Sequence, residues 1–172
     1  MSQSFEQLSS SLDALASRPA DVLAEIKRHE AALKVADFGT EQAWALGSAI
    51  RGEALRRELP VAVSIVLGKQ RVFHAALPGA SAANDMWLAR KINTVQSFGK
   101  SSFHVGVQAK LDGGTIHNWL PEAEFAIHGG GFPLATASGT LLGVVAVSGL
   151  PQSHDHALVV TELAKLLGVD AL

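Results

Sequence analysis

Cysteine and tyrosine are both missing from the 172 residues. The first absence removes disulfides, thiolate metal sites and thiol nucleophiles, and the second removes one of the side chains able to ligate haem iron. Charge is scarce too. Asp, Glu, Lys and Arg make up 17% of the chain, and the mean hydropathy is +0.22. That is apolar for a soluble monomer of this size, so part of the surplus is expected in subunit contacts. Fourteen basic against sixteen acidic residues leave a net charge of −2. With no basic block, a nucleic-acid partner is not expected. No run reaches the ~18 uncharged apolar residues of a membrane span, and the first residues, which include Glu6 and Asp13, contain no signal-peptide core. The expected protein is cytoplasmic, off the membrane and built as one domain with a helical arm over 1–32 and an α+β unit over 33–172.

Against those absences stands Phe125 to Gly149, the most organised stretch of the chain. It reads as a buried β-hairpin, with apolar runs on both sides of the Ser138-Gly139 turn and three consecutive glycines at its mouth. Strands so apolar need cover on both faces, and helical patterns lie on either side of the hairpin to supply it.

Before it, Phe5, Leu8, Leu12 and Leu15 recur at helical spacing and predict a short, lightly held arm ending at Arg18-Pro19. Val22, Leu23, Ile26 and Ala32 give a second helix. The alternation over Leu33 to Phe38 predicts an edge strand. Thr40 is the expected cap of a helix running to Leu59, before Pro60. Val61 to Leu67 and Arg71 to Leu77 form a hairpin around Gly68-Lys69-Gln70. A helix capped by Ser81 or Asn84 continues to Phe98 and stops at Gly99. Ser101 to Ala109 reads equally as strand or capped helix. Ala123 to Ile127 alternates, and Pro151 opens a last helix closed by Gly168.

Three motifs carry possible chemistry. His128-Gly129-Gly130-Gly131 matches the oxyanion loop of esterases, but Ala146 stands where a nucleophile elbow around Ser148 needs glycine, which favours a glycine bend entering a strand. His154-Asp155-His156 crowds metal-type ligands together, yet a helix points the two imidazoles ~200° apart, so no metal site is predicted. Lys91 lies among Trp87, Thr94 and Phe98. Either it snorkels along an apolar surface, or it meets an anionic ligand in a cleft walled by aromatics.

These residues resemble the haem-degrading-domain family of GlcG and HbpS-like proteins. The likeness covers Leu33 to Gly168. It rests on Trp87-x-x-Arg90-Lys91-x-x-Thr94-Val95 with Phe98 and Ser101-Ser102, on Gly129 to Pro133, on Gly143 to Val147 leading into Ser148-Gly149, and on Asp155-His156. The resemblance implies a profilin-like, GlcG-like fold: a five-stranded antiparallel sheet packed by helices, here with extra N-terminal helices and with Ser101 to Ala109 helical. It also implies a homo-oligomer, and haem as a possible cofactor, since some members bind haem or iron.

The expected ligand site gathers Trp87, Arg90, Lys91, Thr94 and Phe98 from one helix with His128, Gly129, Gly130, Gly131 and Phe132 from the glycine bend. Ser148, Asp155 and His156 complete it. The function expected is an oligomeric small-molecule-binding module for a planar anion such as haem or another tetrapyrrole. Two alternatives stand beside it, a scaffold without a small ligand and a haem-processing enzyme. No catalytic set is assigned, which favours binding over catalysis.

Overall fold

The computed structural model describes residues 3–170. In chain order the elements are α1 (Phe5–Ala14), α2 (Pro19–Ala32), α3 (Thr40–Arg56), β1 (Ala62–Leu67), β2 (Gln70–Ala76), α4 (Ala82–Phe98) and α5 (Ser102–Leu111). A 3-10 turn (Ile116–Asn118), β3 (Gly131–Ala135), β4 (Leu141–Ser148) and α6 (Gln152–Leu167) follow. The strands form one antiparallel sheet in the order β2-β1-β4-β3. Alternate side chains of the central pair enter different cores. Val63, Ile65, Val145 and Val147 join α1, α3 and α6 on one face. On the other, Ala62, Val66, Val144 and Ala146 meet Leu88, Ile92 and Val95 of α4. A sheet covered twice has no polar face, which is why these strands read as unbroken apolar runs.

Local chemistry explains the element ends. Ser81 is the N-cap of α4, and the side chain of Asn84 accepts its N–H at 2.8 Å. Gly99 and Gly168 close α4 and α6 in the left-handed conformation, at φ 64° and 66°. The Ser101 side chain accepts from the His104 N–H, so the ambiguous stretch becomes α5. Thr40 is the first residue of α3 and not its cap; Gly39 takes that place, its N–H donated to the Gln42 side chain.

Three expectations need correction. The described sheet has four strands, not five. Residues 33–38 run beside β3 without joining it, making one backbone bond from the Val35 N–H to the Ala135 carbonyl at 3.1 Å. Pro133 in that outer strand has no N–H to give, so a full ladder there is short of a donor. Ala123 to Ile127 is turn and irregular chain; its backbone is held from the side, the Ala126 N–H meeting the Arg90 carbonyl at 3.2 Å. Finally, α1 is not lightly held. Leu8 and Leu12 are fully buried against α6, and truncating either to alanine should cost about 2–5 kcal/mol.

Candidate functional site

Three segments meet at the end of the sheet where β4 runs into α6. The first is α4, which carries Trp87 and Lys91 one turn apart and therefore on one face. The second is the glycine bend. Thr94 holds it from behind, its hydroxyl donating to the Ala126 carbonyl at 2.8 Å, while the Ser102 hydroxyl donates to the His128 carbonyl at 2.6 Å and accepts the Gly131 N–H at 3.0 Å. The third is the Ser148-to-Gln152 turn.

Lys91 is buried at the centre of this junction. Its ammonium donates to Asp155 Oδ2 at 2.8 Å and to the Val147 carbonyl at 2.9 Å. The other carboxylate oxygen of Asp155 accepts the Leu150 N–H at 3.0 Å. Burial pushes the lysine pKa down and the aspartate pKa up, and the opposite charge of each partner resists that push. Both groups keep their charge because neither is left without partners. The lysine thus neither snorkels nor offers a free cation. Gly130 makes room for the pair: at φ 122°, a Cβ there would stand 2.7 Å from Lys91 Nζ and 2.9 Å from Asp155 Cβ.

Beside the pair opens a cavity of about 240 Å³, whose lining includes Trp87, Lys91, His128, Gly129, Ser148 and Asp155. His128 is exposed at its mouth, its ring edge-on to Trp87 with centroids 5.0 Å apart. Partial burial, then the charges of Lys91 and Arg90, lower its pKa, so the imidazole is neutral near pH 7. Arg90 lies outside the cavity lining but stacks over Trp87, its guanidinium carbon 4.3 Å from the ring centre. Its Nε is buried with no hydrogen-bond partner.

The other expected residues lie elsewhere. Gly130 and Gly131 are buried in the wall, Thr94 serves as the hook just described, and Phe98 packs on Trp119 with ring centroids 6.0 Å apart. Phe132 and His156 face each other on the opposite side of the sheet, at 5.8 Å. His156 is separated from Asp155 by the ~100° that one helical residue turns. The His154-Asp155-His156 motif accordingly splits three ways, to Asp13 at 2.7 Å, to Lys91 and to His29 at 3.2 Å. Two of the three glycine N–H groups are committed, Gly129 to the Gln152 side chain at 3.4 Å and Gly131 to Ser102 at 3.0 Å, which leaves no pair of free N–H groups within the run for an oxyanion cradle.

Sequence reasoning missed the His29–His156 pair altogether. Both rings are fully buried. With the His29 proton on Nε2, which faces Glu25 Oε1 at 3.4 Å without forming a hydrogen bond, Nδ1 accepts from His156 Nε2. That leaves His156 Nδ1 as a bare lone pair, and it has no partner. Desolvation holds His29 down at about 4 and His156 well below its usual value. The available signal was the spacing of Val22, Ile26 and His29, which puts the histidine on the apolar face of α2. Asn84 and Gln152, also in the lining, had no such signal.

Residues 38–164 match the family model for the haem degrading protein HbpS-like domain. The chain belongs to this family. A UPF0303 protein of Streptomyces coelicolor is 42% identical over 151 residues, covering 87% of this chain and 96% of the relative. One of Burkholderia thailandensis is 44% identical over 148 residues, covering 85% and 90%. Among solved structures, the Ybr137w protein superposes with a TM-score of 0.80 at 28% identity, over 93% of this chain and 94% of that one. HbpS, at 20% identity, and a PduOC:heme complex, at 22%, share the fold with TM-scores of 0.62 and 0.63. HbpS matches over 78% of this chain and 93% of its own, the PduOC complex over 74% and 93%. Among the described residues, no helix is long and apolar enough to cross a membrane.

Proposed function

We propose that this protein is a small-molecule-binding module of the cytoplasm, assembled as a homo-oligomer, and that its ligand is a planar anion, with haem first among candidates. The observation carrying this reading is the neutral His128 imidazole at the mouth of the cavity, set against Trp87 with Arg90 stacked behind it. Membership of the HbpS-like family and the likeness to a protein solved with haem support it. The residues fit haem in kind: His128 as an axial nitrogen, Trp87 as an apolar wall, and Arg90, whose guanidinium stacks on Trp87 and stands 4.0 Å from the exposed Glu122 carboxylate, as the cation for a ligand carboxylate in place of Glu122. Haem would bring an iron centre able to take up an imidazole. The cavity, at about 240 Å³, falls below the ~300–1,000 Å³ usual for enclosed ligands, so a macrocycle would extend from it over the surface. Binding is favoured over haem processing because the buried Lys91 and Asp155 are spent on each other.

Exposed Trp44, Met86 and Trp119 supply apolar surface for self-association. Light scattering should therefore detect a species heavier than the 18.0 kDa chain. Hemin added in equal amount should give the absorption spectrum of histidine-ligated haem, and His128→Ala should weaken binding at least tenfold without altering the circular dichroism. Identical hemin titrations for the parent protein, His128→Ala and Arg90→Ala would remove this reading.

A further inference from the structure

A second cavity, of about 290 Å³, lies on the far side of His128 and Gln152, which line both spaces. One side of it is apolar: Leu12 of α1, Ala16 of the turn that follows, Val22 of α2, Phe103 and Val107 of α5, and Ile127 of the glycine bend, while Gln152 and Ser153 add polar groups. The wall from α1 and α2 precedes residue 38, where the family match begins. This space is therefore closed by a part of the chain outside the matched domain. Its floor is set by close packing, since a Cβ on Gly106 of α5 would come within 2.0 Å of the Ile127 carbonyl oxygen.

Two charged side chains stand at the rim, and they differ. Asp13 is already engaged, accepting from the Ser153 hydroxyl and pairing with His154 Nε2 at 2.7 Å. Lys110 is exposed and forms no ion pair among the described residues. An apolar chamber with an uncommitted cation at its edge is complementary to a small amphipathic monoanion. We propose that this cavity binds an aliphatic or aromatic carboxylate, its apolar body against the α1–α2 wall and its carboxylate at Lys110. The proposal rests on Lys110 and the α1–α2 wall rather than on Trp87 or Arg90, and His128, which borders both cavities, is not among the groups that hold the carboxylate.

Octanoate is a suitable probe, with octylamine as its charge-reversed counterpart, both followed by isothermal titration calorimetry on the full chain. Octanoate should bind and octylamine should bind at least tenfold more weakly. Lys110→Glu should lower octanoate affinity about tenfold. Ala16→Trp, which adds a ring at an exposed position on the cavity wall, should abolish binding. Hemin titration of both variants separates this site from the other: octanoate binding lost with hemin binding unchanged supports the proposal. Equal affinity for octanoate and octylamine, octanoate affinity unmoved by both substitutions, or parallel loss of octanoate and hemin would each overturn it.

Discussion

Asp155 and His156 are neighbours on the first turns of α6, both almost wholly buried, and they solve the problem of a polar group in the core in opposite ways. Asp155 keeps its charge and collects enough partners to tolerate it: the Lys91 ammonium, and the Leu150 N–H on its second oxygen. His156 gives up any charge. It meets another imidazole and two aromatic rings, Phe103 and Phe132, and desolvation holds it neutral. Removing a partner leaves a stranded ion in the first case. In the second, adding a proton creates one.

The largest effect expected from breaking this contrast is on the ion pair. Lys91→Met keeps the apolar stem but strands Asp155, and should cost about 3–5 kcal/mol in urea denaturation. Adding Asp155→Leu should restore most of that loss, and a single substitution costing under ~1 kcal/mol would mean the pair is not the buried unit described.

Acid should attack the imidazole pair instead. His29 has a folded pKa of about 4 against an ordinary 6.5, so between those values the unfolded chain binds the extra proton. Stability is therefore whole above pH 6.5 and falls as pH drops toward 4. For His29 alone, linkage gives a loss of about 2 kcal/mol between pH 7 and pH 5. His156 shifts in the same direction and adds to it. Chemical denaturation at those two pH values measures it; a flat profile would contradict the neutral pair, and His156→Phe should shrink the slope.

The smallest effect belongs to the third polar contact of the same turn. Asp13 joins α1 to Ser153 and His154 at the surface, and Asp13→Asn should cost only about 0.5–1 kcal/mol. A loss as large as that of Lys91→Met would mean that exposure does not separate these contacts.

What was legible in the sequence follows from how local each signal is. Both hairpins, α4 with its Ser81 cap and Gly99 stop, and α6 between Pro151 and Gly168 are written in adjacent residues. The extra strand failed because alternation over Leu33 to Phe38 says nothing about Pro133, about a hundred residues later, which denies it a donor. The lightly held arm failed for a similar reason: Leu8 and Leu12 have helical spacing, but only the surface of α6 decides how deeply they sink. At the site, spacing on α4 put Trp87 and Lys91 together, and the glycine run brought His128. It did not disclose that Asp155, paired across the sheet, would consume the lysine's charge. Thr94 and Phe98 were placed at the ligand because they share the helix, although one faces the bend and the other looks past its end.

The two margins of the sheet differ in what they permit. Beside β3 the chain doubles back through residues 33–38, and Pro133 withholds a donor. Beside β2 no further strand lies among the described residues. A second molecule meeting the first along β2 would join like margin to like margin about a two-fold axis, and an isologous contact of that kind closes at two chains instead of adding strands without limit.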